Sequence, residues 1–254
     1  MNQQERAKAF AAMHVKGDPI VLYNIWDAGS AQALAGAGAR ALATGSAPVA
    51  AAQGFSDGEK TPLEWVYGIT SQIVANVDVP LSVDFEGAYA SDPYTITRNV
   101  AGLIKAGAIG VNFEDQIIDG SGLYAIEEQV ARIAAVRKAG QDMGIPLFIN
   151  ARTDLFLKQA DFNQHPGLMA QAIERAAAYK TAGADCFFAP LLSDLGLIKD
   201  LCSAVDLPVN ILKKSDNHTK EILGPLGVAR ISYGGGAYMA LMADFAEKFK
   251  KISR

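Results

Sequence analysis

The chain has 254 residues, of which half are apolar and a fifth are charged, with a formal net charge of −4. This balance, without a basic block, argues against nucleic acid or an anionic membrane as a partner. No apolar run reaches the roughly 18–20 residues of a membrane span. The polar N-terminal segment does not resemble a signal peptide, and Cys186 and Cys202 lie in apolar contexts typical of reduced thiols. We therefore expect a cytoplasmic protein.

Eight short, nearly continuous apolar runs follow one another along the chain, as parallel strands buried on both faces require. Their ranges are 19–25, 39–45, 80–85, 108–114, 146–152, 184–190, 208–212 and 228–233. Ala-rich amphipathic stretches predict helices between them, at 30–38, 61–77, 92–108, 125–144 and 167–184. Repeated Ala-Gly-Ala triplets mark helix ends, because glycine accepts the left-handed C-cap conformation. The pattern predicts a single (β/α)8 TIM barrel domain over 1–254. An open doubly wound sheet is the alternative, but no G-x-G-x-x-G follows the first run.

Acidic side chains end two neighbouring predicted strands. Asp84 and Glu86 close the third apolar run, and Glu114 closes the fourth. In a barrel of this kind the C-terminal strand ends share one mouth, where the chemistry takes place. Carboxylates brought that close repel one another unless a cation lies among them, and Mg²⁺ prefers oxygen ligands. These residues predict a magnesium site, with salt-bridged strand caps as the alternative.

Two further strand ends supply groups suited to an anionic ligand. Arg152 ends the fifth run, where a guanidinium can bind a substrate carboxylate through two hydrogen bonds. A structural ion pair with a neighbouring acid is the alternative for this residue. Gly45 and Ser46 follow the second run, where their backbone N–H groups are placed to receive a carboxylate or enolate oxygen. A small carboxylate is therefore the expected substrate.

These residues, in this order, resemble the isocitrate lyase / phosphoenolpyruvate mutase superfamily. The resemblance covers nearly the whole chain and is carried by segments that keep the family's order and strand placement. The segments are 23–34, 43–59, 83–90, 110–116, 150–154, 208–212 and 227–238. The resemblance implies a barrel enzyme whose last helix, after residue 237, is exchanged between subunits of a homodimer or homotetramer.

The resemblance also implies a role for each polar residue at the mouth. Asp57 and Asp84 would help to hold Mg²⁺ and its waters, with Glu86 and Glu114 near it. On the substrate side, the residues with implied roles are Trp26, packed against the substrate; Gly45 and Ser46, donating backbone N–H groups; Arg152, binding a carboxylate; and Asn210, lining the mouth. Of all these residues, Asp57, Glu114 and Arg152 are the candidates for catalysis.

One loop departs from the family pattern. Superfamily lyases that cleave isocitrate or methylisocitrate carry a Lys-Lys-Cys-Gly-His loop after the fourth strand, and its Cys protonates the departing carbanion. Here segment 114–129 reads EDQIIDGSGLYAIEEQ, with no Cys, His or Lys. The longer loop of the mutases and phosphonopyruvate hydrolases, with its Asn, has no clear counterpart either. The chain thus resembles a compact branch. Tyr124 or Ser121 is the candidate acid, a packing or turn residue being the alternative.

The expected activity is Mg²⁺-dependent C–C cleavage of a small 2-oxo or 2-hydroxy dicarboxylate through a pyruvate-enolate-type intermediate. Hydrolysis of a phosphonopyruvate- or oxaloacetate-type acid, or phosphoryl mutation, is the alternative. A Schiff-base aldolase would need a strand-end lysine, and only Lys213 and Lys214 come close. A non-catalytic barrel could instead bind an oxo acid, or a phosphate in an anion nest at 234–236.

The histidines carry no ligand pattern. His14, His165 and His218 fall on a terminal segment and on loops, with none in a metal-ligand pair. They are expected on the surface. Asp27, in the Trp-Asp-Ala-Gly segment, is expected to cap the helix that follows it.

Overall fold

Eight parallel strands form the centre of the molecule in a computed structural model, which describes residues 1–118 and 120–253. Each of the eight predicted apolar runs contains one strand, so the strand prediction is confirmed. The strands are β1 (Ile20–Leu22), β2 (Leu42–Ala43), β3 (Leu81–Asp84), β4 (Gly110–Glu114), β5 (Phe148–Arg152), β6 (Cys186–Phe188), β7 (Val209–Leu212) and β8 (Val228–Ser232).

Helices alternate with the strands, and the predicted helical segments are confirmed to within a few residues. Asp27 caps the second helix by accepting the Ser30 N–H at 2.7 Å, and Gly183 ends the seventh with φ of 106°, both as expected. No helix of the described ranges is both long and apolar enough to cross a bilayer. The helices are α1 (Gln3–Ala12), α2 (Ala28–Gly36), α3 (Ser46–Ala52), α4 (Leu63–Asn76), α5 (Pro93–Lys105), α6 (Ile126–Asp142), α7 (His165–Ala182), α8 (Leu195–Ala204), α9 (Lys220–Leu223) and α10 (Gly236–Ile252), with 3-10 turns at Phe162–Gln164 and Gly224–Leu226.

The sheet curls into a nearly closed barrel. Its strand order is β1-β8-β7-β6-β5-β4-β3-β2, and a parallel bridge between Ile25 and Thr44 joins the two ends. In this bridge the Ile25 N–H donates to the Ala43 carbonyl at 2.9 Å, and the Gly45 N–H donates to the Ile25 carbonyl at 3.2 Å. The architecture is the predicted (β/α)8 barrel.

Helix α1 covers the N-terminal end of the barrel. Its Phe10 is fully buried and meets Phe148, the first residue of β5, edge to face at 5.1 Å between ring centroids. The His14 ring stacks on the same Phe148 ring at 4.1 Å. Cys186, at the start of β6, belongs to the same apolar cluster. We call this cluster the base of the barrel; it leaves the opposite, C-terminal end as the open mouth.

The expectation that the histidines lie on the surface is wrong. His14, His165 and His218 are only 7%, 2% and 1% exposed. Backbone carbonyls and neighbouring rings make burial possible, because each imidazole has a nitrogen within hydrogen-bond distance of a backbone carbonyl. His14 Nδ1 lies 2.9 Å from the Phe10 carbonyl, and His218 Nε2 lies 3.0 Å from the Ser193 carbonyl.

Helix α10 presents an apolar row to solvent. Met239, Phe245 and Phe249 are 65%, 72% and 64% exposed. These positions, with Met242 and Ile252, recur every three or four residues and therefore share one helix face. A face of this kind is typical of a contact with another chain.

Candidate active site at the mouth of the barrel

A cavity of about 140 Å³ opens at the C-terminal ends of the strands. Its wall is formed by residues on or after all eight strands, so the barrel directs every strand toward one small volume. The structure brings five of the predicted site residues to this wall: Gly45, Ser46, Asp57, Asp84 and Arg152.

Asp84, the last residue of β3, is oriented through both carboxylate oxygens. The Ser46 N–H donates to Oδ2 at 3.0 Å, and Asn112 Nδ2 donates to Oδ1 at 2.7 Å. Asn112 Oδ1 in turn accepts from Asn150 Nδ2 at 3.0 Å. Since β3, β4 and β5 are neighbours, this amide chain crosses three strand ends and fixes the carboxylate toward the cavity.

The backbone N–H groups predicted to receive the substrate are engaged within the protein. Gly45 donates to the Ile25 carbonyl, and Ser46 donates to Asp84. Gly45 also packs closely, because a Cβ there would lie 3.0 Å from Pro48 Cγ. A substrate oxygen that uses the Ser46 N–H must therefore displace Asp84 from it.

Glu86 faces a loop and not the centre of the cavity. Its Oε2 accepts the N–H groups of Gly58 and Glu59 at 2.9 and 2.8 Å. Burial, reinforced by the charges of Asp84 and Asp57, raises the pKa of Glu86 to about 9. Its backbone has φ of 51°, in the left-handed region that costs energy for a side-chain-bearing residue. Glu86 thereby positions the turn that carries Asp57.

Glu114 and Arg152 form an ion pair across β4 and β5. Arg152 Nη1 lies 3.0 Å from Glu114 Oε2, and Arg152 Nη2 donates to Asp154 Oδ2 at 2.9 Å. Burial raises the pKa of Glu114, and the Arg152 charge opposes this shift. Burial alone would lower the pKa of Arg152, but Glu114 and Asp154 outweigh it and raise that pKa. The Arg152 guanidinium is thus already matched by two carboxylates.

A buried acid supports this pair from behind. Asp115 is 0% exposed and accepts the Tyr179 hydroxyl at 2.7 Å, Arg175 Nη1 at 3.1 Å and the Asp154 N–H at 2.9 Å. It therefore locks the segment after β5 that holds Asp154 against Arg152. Because its partners come from α7, 60 and 64 residues along the chain, no local sequence pattern indicates this role.

Besides Glu86 and Glu114, three predicted residues do not line the cavity. The Tyr124 ring lies under the Arg132 guanidinium, 3.9 Å from ring centroid to Cζ. Trp26 packs edge to face on Tyr238 of α10 at 5.1 Å. Asn210 is fully buried on β7. The wall instead includes Asn24, Asn112, Arg230 and Ser232, which the sequence reading did not assign.

The predicted three-carboxylate metal cage is not formed. Within residues 1–118 and 120–253, no three His, Cys, Asp or Glu side chains are close enough to share a metal ion. Glu86 faces loop amides and Glu114 faces Arg152, which leaves Asp84 with Asp57. Burial and the Asp84 charge raise the pKa of Asp57. Two carboxylates that repel each other at this cavity fit Mg²⁺, which commonly binds one or two carboxylates and keeps several waters.

Comparisons with known proteins agree with the fold. The family model described as phosphoenolpyruvate phosphomutase matches residues 10–253. An uncharacterised protein of Mycobacterium tuberculosis is 32% identical over 96% of this chain and 89% of its own length. The 2-methylisocitrate lyase of Escherichia coli K12 is also 32% identical, over 82% of this chain and 70% of its own length.

Solved structures show the same architecture. A Burkholderia cenocepacia J2315 protein with the provisional description phosphonomutase is 41% identical, with a TM-score of 0.95 over 98% of this chain and 99% of that one. A phosphonopyruvate hydrolase crystallised with oxalate and Mg²⁺ has a TM-score of 0.87 at 21% identity, over 100% of this chain and 88% of that one. The second likeness shows the fold alone.

Proposed function

We propose that this chain cleaves a small 2-oxo or 2-hydroxy dicarboxylate with Mg²⁺. The chain belongs to the phosphoenolpyruvate mutase family and is a carbon–carbon lyase of the isocitrate lyase / phosphoenolpyruvate mutase superfamily. The observation that carries the proposal is the Asp57–Asp84 pair facing a cavity of about 140 Å³. Drug-sized ligands occupy roughly 300–1,000 Å³, so this cavity suits a metabolite of a few carbons.

Asp84 would hold the ion, with Asp57 beside it and Glu86 fixing the turn that carries Asp57. When bound, Mg²⁺ supplies a positive charge that stabilises the enolate left when the C–C bond breaks. Removing one donor of such a site typically lowers kcat by about 10²–10³. Arg152, oriented by Glu114 and Asp154, adds positive potential to the same wall.

A proton must reach the methylene of the departing fragment. Tyr124 was the candidate from the loop, but its ring covers Arg132 and does not reach the cavity wall. Asp57 lines the cavity, its pKa is raised, and the Ser46 hydroxyl hydrogen-bonds its carboxylate. We assign the proton transfer to the Asp57 carboxyl group, which in this assignment stands beside the ion held by Asp84 without ligating it, with Tyr124 as the alternative if the loop rearranges.

The alternative reactions have unequal support. The description of the 41% identical Burkholderia protein favours phosphonate chemistry as the second candidate. A Schiff-base mechanism is disfavoured, because Lys213 Nζ donates to the Ser215 carbonyl and pairs with Asp216 at 3.7 Å, and neither Lys213 nor Lys214 lines the cavity.

The test is calorimetric titration with oxalate, a mimic of the pyruvate enolate, with and without Mg²⁺. We expect metal-dependent binding by the wild type, loss of binding in Asp84→Asn, and no change in Asp206→Asn, which removes an exposed carboxylate outside the cavity. Turnover of 2-oxo and 2-hydroxy dicarboxylates and of phosphonopyruvate, measured by pyruvate or glyoxylate release, then selects the reaction. Undiminished turnover in Asp84→Asn would contradict the proposal.

We also propose that a second copy of the chain covers the apolar face of α10, giving a homodimer or homotetramer. The exposed row of Met239, Phe245 and Phe249 supports this. Light scattering should give a multiple of the 26.9 kDa chain mass for the wild type and a lower mass for Phe245→Glu. A wild-type monomer would contradict it.

A cytoplasmic location is proposed on separate grounds. Cys186 and Cys202 are both free and buried. Unpaired thiols are usual in a reducing compartment. Fractionation of the source cells would test this location.

A further inference from the structure

Two guanidinium groups line the cavity, and their surroundings differ. Arg152 is paired with Glu114 and Asp154. Arg230, on β8, is 2% exposed and donates Nε to the Ser232 hydroxyl at 3.1 Å. Its Nη1 is buried and has no hydrogen-bond partner. In the part of the chain that the structure describes, Arg230 forms no ion pair, and the one carboxylate whose charge it feels is Asp84.

An unpaired buried guanidinium is costly. Removing a charge from water without a partner costs several kcal/mol, and an apolar side chain of similar size is often more stable. Burial lowers the pKa of Arg230 to about 10, so the side chain stays charged at neutral pH. Because Arg230 lines the cavity, the missing counter-charge can arrive with a ligand.

The surroundings of Arg230 offer donors without acceptors. Ser232, two residues further on the same strand face, lines the cavity and donates its hydroxyl to Asn210 Oδ1 at 3.2 Å. Asn210 is the register partner of Arg230 on β7, and its Nδ2 is also buried without a partner. A ligand that brings a carboxylate to this wall would give Arg230, which lines the cavity, the acceptor oxygens that it lacks.

The position of β8 separates this group from the metal side. Four steps around an eight-stranded barrel lead from β4 to β8, so Arg230 enters the cavity opposite Asn112 and close to opposite Asp84. One end of a short acid can therefore face Asp57 and Asp84 through Mg²⁺ while the other faces β8. The cavity has an anionic wall and a cationic wall.

We propose that Arg230 receives the second carboxylate of the substrate and makes the site selective for dicarboxylates over monocarboxylates. This inference rests on the proposed function and adds the group that binds the carboxylate at the far end of the substrate. Arg152, already matched by two acids, is left to orient Glu114 and to shape the potential at the metal side.

The test compares malate with lactate, two 2-hydroxy acids that differ in the second carboxylate, by calorimetry with Mg²⁺ present. The wild type should bind malate at least tenfold more tightly. Arg230→Gln should lose about 10–100-fold in malate affinity, since a charged hydrogen bond contributes about 1.5–3 kcal/mol and 1.4 kcal/mol is tenfold. Affinity for lactate and oxalate should change less than threefold. Arg230→Lys should fall between, because it keeps the charge and loses the planar fork.

Arg98→Gln, which changes an exposed arginine of α5, is the matched control and should behave as the wild type. A merely structural Arg230 predicts the opposite pattern: a lower Tm in Arg230→Gln with the malate preference intact, which overturns the inference. Equal binding of malate and lactate by the wild type, with oxalate still bound, also overturns it while sparing the metal site. Failure of oxalate to bind with Mg²⁺ removes the proposed function itself, and this inference with it.

Discussion

The two ends of the barrel interior are built on opposite principles. At the base, α1 packs Phe10 and His14 on Phe148, and the buried histidine is neutral because burial lowers its pKa to about 3. At the mouth, carboxylates raise one another's pKa, and Arg230 has no ion-pair partner among the described residues. The base contributes stability, whereas the mouth holds charged groups at an energetic cost, which the proposed ligands would offset. Substitutions at the two ends should therefore differ in sign.

The largest effect is expected at the base. Phe10→Ala removes a fully buried ring, and such truncations cost about 3–5 kcal/mol through lost burial and the cavity left behind. Urea unfolding of the wild type and the variant measures the change. Oxalate binding by the folded variant should match the wild type. A variant that keeps its stability, or loses binding while folded, would break the separation between the two ends.

At the mouth, Glu86→Gln should stabilise the metal-free protein. The pKa of Glu86 rises from 4.5 to about 9 on folding, so the wild type loses stability as the pH rises between these values, because the unfolded chain releases a proton that the folded chain retains. The glutamine cannot ionise and can still accept the loop N–H groups. At pH 8, with EDTA present, urea unfolding should show a free energy of unfolding higher by on the order of 3 kcal/mol in Glu86→Gln than in the wild type. This difference should disappear below about pH 4.5.

Glu174→Gln, which alters an exposed glutamate of α7, is the control and should shift urea unfolding by less than about 0.5 kcal/mol. A loss of stability in Glu86→Gln at pH 8 would show that the ionised carboxylate holds the turn of Gly58 and Glu59.

The smallest effect is a pH dependence at the base. The pKa of His14 falls from 6.5 to about 3 through burial and the nearby Arg230 charge. Below pH 6.5 the His14 imidazole becomes protonated in the unfolded chain but stays neutral in the folded chain, so stability falls as the pH drops toward 3. Between pH 7.5 and 5 the free energy of unfolding should fall by about 2 kcal/mol more in the wild type than in His14→Phe. If the free energy of unfolding depends on pH in the same way in both proteins, the buried neutral state of His14 would be contradicted.

The strands and much of the mouth could be predicted because both follow from local pattern. Continuous apolar runs specify strands buried on two faces, and the polar residues that end them reach the mouth whatever the rest of the chain does. Asp84 and Arg152 were found in this way. The sequence could not predict how charge is distributed among the polar residues of the mouth. That distribution depends on contacts between distant elements, such as the one between Asp115 and Tyr179.

Other outcomes needed the tertiary structure. Arg230 stands inside an apolar strand, and alternation along the strand does not say which face points into the barrel. Tyr124 and Trp26 have polar and aromatic partners in Arg132 and Tyr238 that no spacing indicates. The histidines were misplaced because each ring pairs with a backbone carbonyl, and carbonyls carry no residue identity.

The two cysteines give the protein an internal reporter of opening. Cys186 sits in the base and Cys202 on α8; burial raises the pKa of each thiol to about 12. Only the thiolate reacts with alkylating reagents, so the closed barrel shields both from labelling. The rate at which each thiol is modified then reports how often the structure around that thiol opens, without any engineered probe.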